Sequence, residues 1–269
     1  MKIIVSHDVD HLYVSDHYFK DLIVEKFIIR GFVHFIQRRI DFHTLMNRLG
    51  IVFTNRMNNI DSLMVFDAEM GVPSTFFFGM ANGLGMSYSI KRAVPFIKKV
   101  KRNGFDAGVH GIEYESAEGI AVEHDRFKEI VKEDRFGIRN HYVRFDDDTF
   151  SKMDAAGYLF DSTQFNKKAT ELVNPYKIGN MWEFPLHIMD VYACKSGDYR
   201  EDVKATYQIV EEAEKIGIKY FTLLFHEEKF NRDVYPEEYN WYVNLIGSMK
   251  ERGYEFVSYN DAIRELENE

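Results

Sequence analysis

Two carboxylates, Asp8 and Asp10, follow a short apolar run near the amino terminus. The run at residues 3–5 is typical of a buried strand, on which alternate side chains share a face, so both acids should project to one side. Two carboxylates about 7 Å apart are costly in a core, but they are understandable if one binds a metal ion and the other transfers protons. The alternative is a loop that begins after the strand and leaves both acids solvated.

Further polar residues fall at the carboxyl ends of other predicted strands. Apolar and β-branched runs predict strands at 72–79, 105–110, 137–145, 158–160, 182–189, 220–225 and 254–259, with helical patterns between them. Such alternation implies a mostly parallel sheet, and seven or eight strand–helix units in one domain indicate a barrel. The carboxyl ends of barrel strands form the rim where active sites are built, and the residues predicted there are His110, Arg139, Asp161 and His226.

Length and composition limit the class of protein. The 269 residues are 45% hydrophobic, enough for one large domain, and the net charge of −9 argues against nucleic acid as a partner. The single cysteine, Cys194, excludes an internal disulfide and fits a reducing compartment. No run of 18 apolar residues occurs, and only three apolar residues precede Ser6 and His7, so we predict neither a spanning helix nor a signal peptide. The expected location is cytoplasmic.

Residues 20–58 form a basic segment with helical periodicity. It carries seven Lys or Arg against three Asp or Glu, and its apolar residues recur at helical spacing. An amphipathic helical insertion of this kind can contact anionic lipid or a lipid-linked substrate. The alternative is a helix packed on the barrel with solvated basic residues.

Taken in order, the polar residues match a known pattern. The set resembles the polysaccharide deacetylases of carbohydrate esterase family four, and the similarity extends from about residue 3 to 260. The runs at 74–78, 108–110 and 183–185 also resemble this family. The matching motifs are Asp8-x-Asp10, His110, Arg139-x-x-Tyr142, Asp161-Ser162 and Leu223-x-x-His226.

The resemblance implies a single α/β domain over residues 1–269, folded as a distorted (β/α)7-type barrel, and metal-dependent hydrolysis of an N-acetyl or N-acyl group on a sugar. By the same resemblance, Asp10 and His110 would bind a divalent metal, expected to be Zn²⁺. Asp8 would be the general base, and Arg139 would keep it ionised and oriented.

The remaining roles carried over from the family concern the transition state and the leaving group. Tyr142 would offer its backbone N–H to the oxyanion. Asp161 would pair with His226, the general acid that protonates the leaving amine. These residue types suit the reaction, because an amide needs a polarising cation, an activated water and an acid for a poor leaving group.

One departure from the family concerns the third metal ligand. The family places a second histidine four residues after the first, but Tyr114 stands there in this chain. Asp10 and His110 alone fall short of the three protein ligands of a catalytic zinc. Glu113, Tyr114 or Glu115 could complete the site, or the more distant His124 could fold in; a degenerate site is the other possibility.

A second departure lies beside Tyr142, where His141 replaces the usual proline. We give His141 and His187 no catalytic role. The predicted substrate is an acylated sugar on the way to surface polysaccharide, such as O-antigen or capsule, linked to a nucleotide or a lipid. The rival functions are another metal-dependent amidohydrolase on the same barrel, and a non-catalytic carbohydrate-binding relative that has lost its metal.

Overall fold

The fold is seen in a computed structural model that describes residues 1–18, 20–168 and 170–268. The described residues contain ten strands in a single sheet. The strands are β1 (Lys2–Val9), β2 (Thr75–Gly79), β3 (Asp106–Gly111), β4 (Gly137–Asn140), β5 (Phe160–Asp161), β6 (Tyr176–Ile178), β7 (Met181–Glu183), β8 (Ile188–Met189), β9 (Tyr220–Leu224) and β10 (Glu255–Phe256).

Helices connect most of these strands and cover the outside of the sheet. They are α1 (Ile23–Ile36), α2 (Phe42–Thr54), α3 (Ile60–Met70), α4 (Ile90–Arg102), α5 (Ala117–Val131), α6 (Thr149–Ala156), α7 (Asp190–Ala193), α8 (Tyr199–Lys215), α9 (Pro236–Glu251) and α10 (Tyr259–Leu266). Several end at a glycine in the left-handed conformation; α3, for example, ends at Gly71 with φ of 75°.

The sheet runs in the order β6-β7-β5-β4-β3-β2-β1-β9-β8, and β10 pairs with the start of β1. All pairs are parallel except the β6–β7 hairpin. The sheet curls into part of a barrel within one α/β domain, so the predicted fold class, a distorted (β/α)7-type barrel, is confirmed.

Strand β1 lies between β2 and β9 and places its side chains alternately in two environments. Its odd-numbered apolar residues, such as Ile3 and Val5, pack in the large core under the helices. Its even-numbered residues face the curled interior, where Ile4 meets Phe77 and Tyr259 in a second core. Because strand side chains alternate, the even-numbered residues of β1 form one row on the interior face. Beyond Ile4 this row continues with polar residues towards the carboxyl end of the strand, at the rim.

Two predicted strands differ from those observed. The strand predicted at 137–145 ends at Asn140, and His141–Val143 forms a 3₁₀ turn. The strand predicted at 182–189 is two strands, β7 and β8, which lie at opposite ends of the sheet order. Both differences change which side chains reach the rim.

The basic segment at 20–58 contains two helices, α1 and α2, which pack together through Gly31 and Leu45. Among the described residues, no helix combines the length and apolarity that crossing a membrane requires.

Candidate metal centre and active site

The alternation of β1 brings Asp8 and Asp10 to one face, as predicted. Both approach His110 on β3: its Nε2 lies 3.7 Å from Asp8 Oδ2 and 3.1 Å from Asp10 Oδ1. His7 points to the opposite face, where its Nε2 lies 2.8 Å from the buried Asp67 carboxylate. Asp8 is therefore neither solvated nor in a loop, since it is 3% exposed near the end of a buried strand, and Asp10 is the first residue after that strand, with its side chain 13% exposed.

Three side chains converge on one point at the rim: Asp10, His110 and His141. His110 Nε2 lies 3.0 Å from His141 Nδ1, and His141 Nδ1 lies 3.4 Å from Asp10 Oδ1. Their ligand atoms all fall within 4.8 Å of one another, the only group of three or more His, Cys, Asp or Glu side chains in the described part of the chain that does so.

The outer nitrogens of the two histidines fix their protonation. His110 Nδ1 lies 2.9 Å from the carbonyl of Arg139, and His141 Nε2 lies 3.3 Å from the carbonyl of Leu84. A carbonyl can only accept, so both outer nitrogens carry protons, and in the neutral rings the inner nitrogens present lone pairs. Two lone pairs and a carboxylate oxygen facing one another repel unless a proton or a metal ion lies among them, and this orientation by carbonyls is typical of metal-binding histidines.

The charges around this point are consistent with a cation site. Burial raises the pKa of Asp10, but the nearby His141 and His110 outweigh it and hold that pKa well below its ordinary value. Burial lowers the pKa of His110, and the charges of Asp8 and Asp10 reverse the shift, so the net direction is upward. An Asp–His–His set suits Zn²⁺ or a neighbouring divalent ion, with room for a water or substrate.

The third member of this group, His141, is not among the predicted candidates. His124 stacks against Phe136 with ring centroids 4.9 Å apart, and the Tyr114 ring lies under the Arg144 guanidinium at 4.7 Å. Neither Glu113 nor Glu115 joins the group. The prediction that Glu113, Tyr114, Glu115 or His124 would complete the site is therefore wrong. The third member of the group is His141, for which no catalytic role is predicted from the sequence.

His141 reaches the rim because β4 ends earlier than predicted. Within the 3₁₀ turn, Tyr142 has φ of 59° and Val143 has φ of 46°, both in the left-handed region that is strained for side chains with a Cβ. This turn redirects the chain directly after the strand. The sequence did contain a signal that could have pointed to His141. This residue directly follows the strand that carries Arg139, and that strand pairs with the strand that carries His110.

On one side of the metal centre, Asp8 is held by Arg139. The Arg139 Nη1 donates to Asp8 Oδ1 at 3.0 Å, and the remaining guanidinium N–H groups donate to the Ser162 carbonyl, the Ser162 hydroxyl and the Tyr259 hydroxyl. Burial lowers the pKa of Arg139, but Tyr259 and Asp8 outweigh it and raise that pKa. A fully buried guanidinium with four hydrogen bonds orients the Asp8 carboxylate.

On the other side lies His226, whose Nε2 is 4.0 Å from Asp10 Oδ2. Its Nδ1 bonds to Asp190 Oδ1 at 2.7 Å, and Asp190 also accepts from the His226 backbone N–H and pairs with Lys229. Burial lowers the pKa of His226, but the Asp190 charge outweighs it and raises that pKa to about 10. His226 is therefore a cation at neutral pH with its Nε2–H toward the centre.

The predicted pairing of Asp161 with His226 is wrong. Asp161 accepts from the Thr163 hydroxyl at 2.6 Å and from the Thr163 backbone N–H at 3.1 Å, next to buried Glu183. Strand β5, which carries Asp161, is separated from β9 by four strands, whereas β8, which precedes Asp190, is the neighbour of β9. Asp161 instead supports the loop of Ser162, which anchors Arg139.

Tyr142 lies at the mouth of the site and is 55% exposed. Its hydroxyl donates to the Leu84 carbonyl at 3.2 Å, and its own carbonyl accepts from Lys167 at 2.9 Å. The turn that places His141 therefore also places the Tyr142 backbone beside the metal centre.

Comparison with known proteins supports the fold assignment. No protein-family model matches the chain, and no curated protein matches it. A solved structure from Mycobacterium smegmatis, assigned as a polysaccharide deacetylase, has a TM-score of 0.63 and 16% identity, covering 98% of this chain and 88% of that one. A second, from Pseudomonas aeruginosa, has a TM-score of 0.63 and 12% identity, covering 100% and 90%.

A third structure shows that this fold occurs with and without activity. A carbohydrate esterase family four pseudoenzyme from Bacillus anthracis has a TM-score of 0.50 and 10% identity, covering 97% of this chain and 64% of that one. This chain therefore has the polysaccharide deacetylase fold, and the resemblance predicted from its sequence is confirmed at the level of the fold. Since this fold does not imply one function, activity depends on the residues of the site.

Proposed function

We propose that this protein is a metal-dependent hydrolase that removes an N-acetyl or N-acyl group from a sugar. The observation that carries the proposal is the convergence of Asp10, His110 and His141 within 4.8 Å, between a carboxylate held by arginine and a histidine held by a carboxylate. Amide hydrolysis needs a cation, a base and an acid around one carbon, and this rim offers a residue for each.

Asp10, His110 and His141 would hold the divalent ion, for which Zn²⁺ is the expected identity. When bound, the ion polarises the amide carbonyl and makes water more acidic. The fit rests on the donor set itself: two histidine lone pairs fixed by carbonyl partners, and a buried carboxylate oxygen. With His141 included, the set has the three protein ligands of a catalytic site.

Asp8 would act as the general base. Its second oxygen is free of Arg139, since the guanidinium binds only Oδ1, and that oxygen faces the centre 3.7 Å from His110 Nε2. Arg139 keeps the carboxylate ionised and fixes its direction. A water in the metal centre would then be within reach of Asp8. Because Arg139 already orients this carboxylate, Asp8 would need no rearrangement to take a proton.

His226 would be the general acid, and its partner in that role would be Asp190. A pKa raised to about 10 means that the imidazole carries its proton at neutral pH, ready to pass it to the departing amine. The Tyr142 backbone N–H remains the proposed donor to the oxyanion, because its turn lies next to His141. Asp161 would act only by supporting the loop that anchors Arg139.

The proposed substrate is an acylated sugar precursor of surface polysaccharide, such as O-antigen or capsule, linked to a nucleotide or a lipid. This finer statement depends on the family resemblance and not on a contact in the site. A cytoplasmic location likewise remains a prediction, which cell fractionation would test.

The test combines metal analysis with acetate release. Protein purified without chelators should contain about one equivalent of a divalent metal and release acetate from acetamido sugars, and the Asp8→Asn variant should keep the metal while losing the activity. Metal binding without acetate release, but with hydrolysis of other amides, would favour the rival amidohydrolase. No metal binding, even with added Zn²⁺ or Co²⁺, would favour the non-catalytic relative.

A further inference from the structure

The hairpin of α1 and α2 exposes an apolar stripe on each helix. On α1 the exposed residues recur at 22, 29, 33 and 36, and on α2 at 42, 46 and 53, which is the spacing of a single helical face. Ile36 is 78% exposed and Phe53 is 89% exposed. The full set comprises Leu22, Ile29, Phe32, Val33, Phe35, Ile36, Phe42, Met46 and Phe53.

This distribution is unusual for a helix that packs on a barrel. Gly31 is the only buried residue of α1, whereas a surface helix normally turns its apolar stripe to the core. The hairpin also holds nine of the nineteen large apolar side chains that are exposed in the described part of the chain. A concentrated patch of this kind marks a surface that is covered by something else.

Basic side chains border the apolar stripe. Lys26 and Arg30 lie beside it on α1, and Arg38 and Arg39 occupy the turn to α2. Among the described residues, none of these four forms an ion pair; the ion pairs nearest in the chain are those of His17 with Asp21 and of Arg56 with Asp61. Residues 20–58 carry seven Lys or Arg against three Asp or Glu, in a protein with a net charge of −9. The excess positive charge is thus concentrated in this segment, and these four basic side chains are not neutralised by ion pairs in the described part of the chain.

The turn of the hairpin also borders an open groove of about 800 Å³, lined by Phe35, Ile36, Arg38, Arg39 and Asp41, and on its far side by Pro236 and Glu237. Apolar and cationic groups therefore meet in one concave surface, together with two carboxylates at its edge. That combination suits an amphiphile with an anionic headgroup, because long basic side chains cover apolar surface while their charged ends reach the headgroup.

We propose that the α1–α2 hairpin docks this protein on an anionic lipid bilayer. The apolar stripes enter the boundary between headgroups and acyl chains, and the four basic residues contact the anionic headgroups. Charge complementarity favours lipid over a protein partner, because arginines and lysines without ion pairs around an apolar face match an anionic interface.

The start of the hairpin is joined to the mouth of the proposed active site. Lys20 donates to the Ser87 carbonyl at 2.9 Å, and the side chain of Ile23 packs beside Gly85. Docking would therefore hold the mouth at the bilayer surface and favour a lipid-linked sugar; this last step rests on the proposed function.

The experiment is co-sedimentation of the full chain with vesicles, one set of pure phosphatidylcholine and one containing about 30% phosphatidylglycerol. We expect binding to the anionic vesicles, weaker binding to the neutral ones, and loss of binding at high salt. One basic residue near such a surface contributes about fivefold in affinity, so the double variant Arg38→Gln/Arg39→Gln should bind about twenty- to thirtyfold more weakly. Ile29→Ser/Ile36→Ser should also bind more weakly.

The matched controls are Lys91→Gln/Lys98→Gln, which removes two exposed charges from α4, and Val65→Ser/Ile216→Ser, which removes two exposed apolar side chains elsewhere. Neither control should change vesicle binding. The proposal fails if the wild type does not bind anionic vesicles, if all variants bind equally, or if sedimentation shows the hairpin variants dissociating a dimer that does not bind vesicles.

Vesicle binding does not depend on catalysis, so the two proposals fail separately. An inactive protein that binds anionic vesicles through the hairpin keeps the docking inference and removes the hydrolase. A protein that releases acetate from a soluble acetamido sugar but does not bind vesicles keeps the hydrolase and removes the docking inference.

Discussion

Replacing His141 with alanine should remove one of three ligands from the metal centre. Structural zinc sites with four ligands bind with about 10–16 kcal/mol at neutral pH, which corresponds to roughly 2.5–4 kcal/mol per ligand. Each 1.4 kcal/mol is tenfold in the dissociation constant, so His141→Ala should weaken binding by roughly two to three orders of magnitude. The fold should survive, because His141 lies in a turn at the rim and outside the sheet.

The assay is calorimetric titration of metal-stripped protein with Zn²⁺, followed by thermal unfolding at one fixed free-metal concentration. At 100 times the wild-type dissociation constant, the metal should stabilise the wild type by about 2.7 kcal/mol. If His141→Ala binds 100-fold more weakly, the same concentration should stabilise it by only about 0.4 kcal/mol. Circular dichroism of the metal-free proteins shows whether the variant is folded.

Two substitutions provide matched controls. His124→Ala removes a ring that stacks on Phe136, and Tyr114→Phe alters the position at which the family has its second histidine. Both should bind metal as tightly as the wild type. If His141→Ala binds within threefold of the wild type, or if Tyr114→Phe loses the metal, the ligand assignment drawn from the geometry is refuted.

Three further substitutions probe the groups beside the metal. Asp190→Asn removes the charge that raises the pKa of His226 to about 10 against the effect of burial, so the basic limb of the pH–kcat/KM profile should move to lower pH. A bound cation lowers that pKa in both proteins and leaves the direction unchanged; Asp161→Asn, measured alongside, should not move the limb. Asp8→Asn should lower kcat by about 10²–10⁴-fold with unchanged Zn²⁺ affinity by calorimetry, and a parallel loss of both would contradict its role as the base. Arg139→Met should cost roughly 3–5 kcal/mol in denaturant unfolding, because it leaves the buried Asp8 carboxylate unpaired; unchanged stability would disprove the pairing.

Much of the fold is predictable because its signals are local. The apolar run before Asp8, the aromatic run at Phe76–Phe78 and the run before His226 each read as a strand without reference to any other part of the chain. Parallel strands place their carboxyl ends at one edge, so local patterns also predict that Asp8, His110, Arg139 and His226 come together.

The two corrections have a common physical cause, which is a strand boundary. His141 joins Asp10 and His110 because β4 stops at Asn140 and a 3₁₀ turn follows. Asp190 is the partner of His226 because the run at 182–189 breaks into two strands that lie far apart in the sheet. Hydrophobic pattern determines that a strand exists more firmly than where it ends, and one residue of error moves a side chain to the other face.

In the sequence, Tyr114 is the strongest argument for loss of function, because it stands where the family has its second histidine. The structure weakens that argument. A helical spacing of four residues is one way to bring a second histidine to a metal; a neighbouring strand end is another, and here it delivers His141 to 3.0 Å from His110. Carbonyl partners then fix both rings with their lone pairs inward. Two buried histidine nitrogens directed at a buried carboxylate cost free energy unless a proton or a metal ion lies among them. The convergence of three potential ligands on one point is therefore the physical reason to expect a metal in this site, and metal analysis tests it.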